Sequence, residues 1–244
     1  MVEGPTLLGE ALAAGATVEA VYAPVEGLAL PEVEAARDRG VPVSVLQPGV
    51  IERIADVVTP QPVLAVVHTV DVSVEALRGS DFLLICVDVR DPGNVGTMLR
   101  AARAAGVGGV VCCGGTVDVF NPKTVRASAG AIFDVGVAVG GVPVDVLTAA
   151  GSWGLHRVAA DPHAGRAYTE VDLTAPLALV VGNEARGLAD AQLDAVLDGR
   201  VRIPMQGGAE SLNVAMATTV LCFEAARQRH ANPTDAGGDA GRWS

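Results

Sequence analysis

The stretch VRIPMQGGAESLNVAMATTVLCFEAARQR, residues 201–229, decides how the rest of the chain has to fold. It opens on a β-rich run, Val201 to Met205, and passes through a Gly-Gly turn that carries Ser and Asn. A helix that is apolar almost all round follows. Leu212, Met216, Thr219, Val220 and Phe223 recur at helical spacing on one side, while Val214 and Leu221, one heptad apart, occupy another. Such a helix has to be covered on both sides. One cover is the chain's own sheet, and the simplest second cover is another copy of the chain. Ser211 and Asn213 stand at the helix entry, where side-chain oxygens and free backbone N–H groups favour polar or anionic ligands. For this segment alone, Ser211 reads better as a plain N-cap.

Moving outward, LVVGNEARGL (179–188) is a strand stopped by glycine, followed by a helix from about 189 to 198 and then the strand VRIPM. Further upstream, FLLICVDV (82–89) is an unbroken apolar run of the kind buried on both faces of a parallel sheet. It feeds into DPGNVGTMLRAARAAG (91–106). There Pro92, Gly93 and Gly96 read as a tight turn, and Val95, Met98, Leu99 and Ala102 as an apolar helical stripe from which Arg100 and Arg103 point away. The strand VGGVVCCGG, the loop and helix FNPKTVRASAG (120–130), the apolar run AIFDVGVAV, a helix VPVDVLTAAGSWGL and a short strand HRVAADP fill the interval. This alternation predicts an α/β fold built on a doubly wound parallel sheet.

The first seventy or so residues alternate in the same way on a smaller scale. A strand end runs into the helix of VEGPTLLGEALAAG, and VEAVYAP, PEVEAARDRG, VPVSVL, the helical GVIERIADVV and PQPVLAVVH follow. The organisation expected is a small α/β domain over 1–72, a polar linker over 73–81, a second domain over 82–230 and a disordered Gly/Asp/Ala-rich tail over 231–244.

With 244 residues, half of them hydrophobic, a sizeable core is available. No apolar run reaches bilayer length and the N-terminus has no basic stretch leading into an apolar one, so a cytoplasmic protein without a membrane partner is expected. The four cysteines lie in or beside apolar runs without CxxC spacing, which reads as buried reduced thiols. The four histidines are scattered and no metal is assigned. A net charge of −11 argues against a general nucleic-acid binder. Yet Arg100, Arg103, Lys123, Arg126 and Arg186 cluster in the segments 91–106, 120–130 and 179–188, and Lys123 is the only lysine in the chain. GVGGV (106–110) precedes a strand instead of following one, and there is no GK[ST], so a dinucleotide fingerprint and a P-loop are both disfavoured.

Taken together and in order, DPGNVGTMLRAARAAG, LVVGNEARGL and IPMQGGAESLN resemble the three motifs of the SpoU/TrmH family of SPOUT RNA 2′-O-methyltransferases. The resemblance runs from about Phe82 to Arg229. It implies a deep C-terminal trefoil knot in a mostly parallel sheet, one of the rare exceptions to the rule against knots. The glycines at 182, 187, 207 and 208 suit close backbone crossings in such a knot. More softly, through VEG and TPQPVLAVV, the N-terminal part resembles the L30e-like substrate RNA-binding domain of the ribosomal-RNA members. The implied activity is methylation of a ribose 2′-hydroxyl from S-adenosylmethionine by a homodimer, on ribosomal RNA sooner than transfer RNA.

Carried over residue by residue, the resemblance puts Asn94, Arg100, Glu184, Ser211 and Asn213 in the catalytic machinery. Val181, Gly182, Asn183, Gly187, Ile203, Met205, Ser211 and Leu212 would surround the cofactor. Arg103, Lys123, Arg126, Ser128 and Arg186 are expected to contact RNA. In the family the arginine matching Arg100 is assigned as catalytic base. A guanidinium is effectively always protonated, however, so a phosphate clamp that also steadies the developing alkoxide is the better description. The competing reading is a non-catalytic RNA-binding or assembly factor that keeps the knot and has lost turnover.

Overall fold

In the computed structural model the apolar runs Phe82–Cys86 and Leu177–Val181 lie side by side, parallel and in register from Leu177 opposite Phe82 to Val181 opposite Cys86. All ten of their side chains are buried, as the unbroken patterns require. The structure describes residues 1–54, 60–183, 186–188 and 190–231. Its strands are β1 (Val2–Glu3), β2 (Val18–Ala23), β3 (Val43–Val45), β4 (Leu64–Val67), β5 (Asp71–Val72), β6 (Phe82–Cys86), β7 (Gly109–Cys112), β8 (Gly136–Val139), β9 (His156–Ala160), β10 (Leu177–Val181) and β11 (Gly199–Val201). Its helices are α1 (Pro5–Ala13), α2 (Pro31–Asp38), α3 (Ile51–Ile54), α4 (Pro92–Ala104), α5 (Pro122–Ser128), α6 (Pro143–Ser152), α7 (Ala191–Asp194) and α8 (Val214–Ala231).

Two sheets result: a four-stranded one in the order β1-β4-β2-β3, and a seven-stranded one in the order β11-β9-β10-β6-β7-β8-β5. Every pairing in the larger sheet is parallel. Alternate residues of its central strands enter two separate cores. Phe82, Leu84 and Cys86 meet Val95, Met98 and Leu99 of α4 and Leu221, Cys222 and Ala225 of α8 on one face. Leu83 and Ile85 meet Val146, Leu147 and Ala150 of α6 on the other. All four cysteines are buried and free.

From β6 the chain steps one way through β7 to β8, and from β10 it steps the other way past β9 to β11. The gap between β6 and β10 is therefore the switch point, where open parallel sheets form their ligand crevice beyond the strand C-termini.

Several boundaries differ from the sequence reading. The polar segment 73–81 carries a short 3-10 turn whose Leu77 is buried in the larger unit's core, and β5 at Asp71–Val72 already belongs to the larger sheet. Leu77 finds room because an ideal Cβ on Gly109 would lie 2.8 Å from it. The helix expected over 189–198 is only α7, and the strand expected over Val201–Met205 is β11, ending at Val201. Within GVIERIADVV helix is described for Ile51–Ile54, and the remainder from 55 lies outside the described residues, as does the tail from 232.

Pro92, Gly93 and Gly96 form no separate turn. They are the first part of α4, which is capped by the Asp91 carboxylate accepting Asn94 N–H at 2.9 Å. Gly96 is small because α5 packs there: an ideal Cβ would stand 2.5 Å from both Ala127 Cβ and Thr124 O.

Helix α8 buries Ala215, Thr218, Leu221, Cys222 and Ala225 on its own subunit. Met216 is 58% exposed and Phe223 48% exposed, one heptad apart on the uncovered side. The far end of α8 is tied down by Arg229, which donates to the carbonyls of Leu173 (3.2 Å), Asp81 (3.1 Å) and Ala175 (2.9 Å). Its guanidinium also lies 4.7 Å from the Phe82 ring centroid. This cation holds the start of β6, the approach to β10 and the last helix together. Arg229→Ala should lower unfolding stability by about 2 kcal/mol, read as a drop in urea midpoint at constant slope. An unchanged midpoint would show that water serves those carbonyls equally well.

Candidate active site

Beyond the C-terminal ends of β9, β10 and β11 lies a cleft of about 640 Å³, with a smaller apolar recess of about 60 Å³ beside it. Parallel strands put all those ends at one edge, which is why segments distant in sequence meet there. Gly182, Asn183, Arg186, Gly187, Ser211 and Leu212 all line the cleft. Ile203, Met205, Ser211 and Leu212 line the recess together with Val201 and Leu221.

The loop after β10 closes on itself. Asn183 O accepts Gly187 N–H at 2.8 Å, and Asn183 Oδ1 accepts Arg186 N–H at 3.0 Å. An ideal Cβ on Gly182 would sit 2.5 Å from Gly187 O, so the crossing of backbone against backbone admits only glycine. Of the four glycines expected at close crossings, Gly182 alone meets this condition. Gly187 (φ +61) and Gly208 (φ +76) have left-handed backbones in open space, and Gly207 has open space alone.

Asn213 Nδ2 donates to Asn94 Oδ1 at 3.0 Å across 119 residues, joining the first polar segment to the last. The Oδ1 of the same Asn213 caps α8, accepting the N–H groups of Ala215 (2.9 Å) and Met216 (3.4 Å). The cap is therefore Asn213, and Ser211 is left facing cleft and recess. The middle segment is joined to the first through Asp88, whose carboxylate accepts Asn183 Nδ2 at 3.1 Å and Arg186 Nη2 at 2.8 Å. The Arg90 guanidinium, and then Arg186, hold that carboxyl below the usual carboxylate range. The Asp91 carboxyl is lowered by the Asn94 backbone N–H and by Lys123.

Arg100 lies on the exposed side of α4, six residues beyond Asn94, and among the described residues it makes no hydrogen bond or ion pair. Neither Asn94 nor Arg100 is among the described residues lining the cleft. The other expected cations are already paired. Arg103 binds Glu10 (3.0 Å) and Asp134 (2.7 Å), Lys123 binds Asp91 (3.4 Å), and Arg126 binds Glu3 (3.5 Å).

Two expectations fail on burial. Ser128 is fully buried with its hydroxyl donating to Val125 O at 2.7 Å, so it cannot reach a phosphate. Val181 is buried inside β10 and its carbonyl accepts Val87 N–H at 2.9 Å, so it belongs to the sheet and not to the cleft lining. Glu184 lies outside the described residues.

Sequence reasoning passed over Asp88, Asp161 and Arg200. Asp161 follows β9, accepts His163 N–H at 2.8 Å and receives Arg200 Nη1 at 3.1 Å. Arg200 also reaches Leu188 O at 3.2 Å and the Asp194 carboxylate, tying β11 to the loop after β10. The available signal was position: Asp88 and Asp161 sit just past the ends of apolar strands.

Chemically, an apolar recess opening into a charged cleft suits a nucleoside carrying a zwitterionic tail. Ile203, Met205 and Leu212 offer the apolar surface, and Asp161 and Arg200 the charged groups beside it.

Comparison with known proteins fits this arrangement. The model of the SpoU rRNA Methylase family matches residues 81–223. The Bacillus subtilis 23S rRNA (guanosine(2553)-2′-O)-methyltransferase RlmP is 34% identical over 225 residues, 91% of this chain and 86% of its own. The AdoMet-bound rRNA methyltransferase from Sinorhizobium meliloti superposes with a TM-score of 0.80 at 32% identity, covering 92% of this chain and 85% of its own. The SpoU methyltransferase AviRb from Streptomyces viridochromogenes gives 0.82 at 29% identity, covering 94% and 89%.

Proposed function

The chain belongs to the SpoU rRNA methylase family, and on that premise we propose a detailed reading of how its residues work. It is an S-adenosylmethionine-dependent RNA 2′-O-methyltransferase acting on ribosomal RNA. What supports the residue assignments is a pair of long-range bonds, Asn213 to Asn94 and Asn183 to Asp88, that tie the last and middle segments to the β6–α4 region. When bound, S-adenosylmethionine supplies an electrophilic methyl group on a sulfonium.

The recess of Ile203, Met205 and Leu212 holds the adenine, and Gly182, Asn183, Arg186 and Gly187 form one wall of the cleft. Asn94 and Asn213, locked to each other, fix the relation between α4 and the start of α8. Arg100, free of carboxylate partners among the described residues, grips an RNA phosphate and stabilises the oxygen as the 2′-hydroxyl loses its proton. Glu184 and Ser211 orient the substrate hydroxyl. Asp88 and Asp91 leave the site's arginines and lysine preset instead of freely mobile.

The active unit in this reading is a homodimer. What supports it is the uncovered Met216 and Phe223 on a helix whose other side is fully packed. Arg100 also stands away from its own subunit's cleft, so a second copy can carry a cleft to it. Replacing both Met216 and Phe223 with glutamate should leave a folded monomer in sedimentation experiments, with methylation lost. A wild-type monomer, or an undisturbed dimer of the variant, would remove this part.

The C-terminal segment is threaded as a trefoil knot. The tight Gly182–Gly187 crossing and the bond from Arg200 to Leu188 O favour a chain drawn through that loop. The four-stranded N-terminal unit is an L30e-like domain that presents RNA, bridged to the methyltransferase unit by Glu10–Arg103 and Glu3–Arg126. This reading places the chain with a cytoplasmic ribosomal substrate; separately, no described helix is long and apolar enough to cross a membrane.

The test is transfer of labelled methyl from S-adenosylmethionine to ribosomal RNA by the purified chain. Label at a ribose 2′-oxygen supports the reading. Label on a base, or cofactor binding without transfer to any RNA, favours the retired-enzyme alternative.

A further inference from the structure

Asp88 takes no part in the chemistry assigned to Asn94, Arg100 and Asn213, yet three side chains converge on it. Arg90 Nε donates to Oδ1 at 2.9 Å, Arg186 Nη2 to Oδ2 at 2.8 Å, and Asn183 Nδ2 to Oδ2 at 3.1 Å. Asn183 Nδ2 also reaches the Asp88 backbone carbonyl at 2.9 Å. The residue is held at φ 54, a left-handed backbone that a non-glycine adopts rarely and that gathers at functional sites. Opposite stands Gly115, where an ideal Cβ would come within 3.2 Å of the Asp88 carboxylate. The carboxylate is largely inside, with its side chain 23% exposed, while Arg90 and Arg186 are 65% and 69% exposed.

We propose that Asp88 is a positioning residue for the RNA substrate, holding the guanidinium groups of Arg90 and Arg186 and the amide of Asn183 as one preset receptor for a backbone phosphate. The proposal rests on the RNA methyltransferase reading above. With 28 acidic against 17 basic residues, the chain has no general field to attract RNA. Phosphate contacts therefore have to come from local cations whose geometry is fixed beforehand. Two exposed arginines left to themselves lose rotamer freedom on binding; a shared inner carboxylate removes that freedom in advance. Arg186 lines the cleft, and hydrogen bonds from all three donors cover the charge of the Asp88 carboxylate.

The test uses the full chain with saturating S-adenosylmethionine and a ribosomal RNA transcript. Asp88→Gly suits the left-handed backbone and removes the carboxylate; Asp88→Asn keeps an acceptor and removes the charge. KM for RNA should rise about tenfold in the glycine variant and less in the asparagine variant, with kcat changing less than KM. The calorimetric Kd for S-adenosylmethionine should stay within about twofold, and KM should depend on salt with a slope smaller by about one. Unchanged KM in both variants, with Arg186→Ala raising it, would show that the arginine works without Asp88. A lowered KM would make Asp88 a mask and overturn the proposal. If the unaltered chain methylates no RNA, the enzymatic reading falls and takes this one with it. If it is active and only the Asp88 variants are silent in effect, Asp88 alone falls.

Discussion

Arg100→Ala is expected to abolish methyl transfer while S-adenosylmethionine still binds within a few-fold of wild type. Arg100 projects from the exposed side of α4, on a helix whose opposite face, Val95, Met98, Leu99 and Ala102, is fully buried. The helix therefore loses little when the side chain is shortened. The residue is absent from the described lining of the cleft, so cofactor binding is insulated from it. On the proposed reading, the substitution removes a planar, permanently charged donor pair that would meet phosphate and developing alkoxide. Removing one preorganised donor of that kind costs about 10²–10³ in kcat. Arg100→Lys should recover only part of this, because an ammonium cannot reproduce the fork. Single-turnover rates paired with calorimetry read both arms. A variant with ordinary kcat on a validated RNA would take Arg100 out of the reaction.

Gly182→Ala tests the cofactor side with comparable force. The new Cβ would meet Gly187 O at 2.5 Å, Gly187 C at 2.6 Å and Leu188 Cγ at 2.7 Å, and two of these are backbone atoms that cannot swing away. The loop has to open, costing about 1–3 kcal/mol of stability and displacing Asn183, Arg186, Gly187 and Leu188 in the cleft lining. Affinity for S-adenosylmethionine should fall at least about a hundredfold, a loss near 2.7 kcal/mol. Gly187→Ala is the control, since its surroundings are open and only its φ of +61 is strained. It should stay folded and bind better than the Gly182 variant. Undiminished affinity in folded Gly182→Ala would mean that this loop is not the cradle.

The framework was legible because the residues that make it carry period. Phe82–Cys86 and Leu177–Val181 are unbroken apolar runs, and they became the buried central pair of the sheet. The site was legible only through motif resemblance, since nothing local tells Asn94 that Asn213 lies 3.0 Å away. Motif membership, in turn, says nothing about which way a side chain points. That is why Val181 went into the sheet and Ser128 into the α4–α5 packing. Asp88 and Asp161 carried only the weak signal of lying just past a strand end, and Arg200, inside β11, carried none. The acidic net charge offers no general field for RNA, and the structure pairs Arg103, Lys123, Arg126 and Arg186 with carboxylates while Arg100 makes no ion pair among the described residues. The start of α8 moved from Ser211 to Val214 because Asn213 both caps the helix and reaches Asn94.

The most direct measurement is a map of ribose 2′-O-methylation across ribosomal RNA from cells with the gene intact, deleted, and restored as wild type or Arg100→Ala. One 23S-type ribose position should lose its methyl group on deletion, regain it with wild type and stay bare with the variant. A methylation map that is identical in all four strains, or a lost mark that lies on a base, would contradict the proposed function.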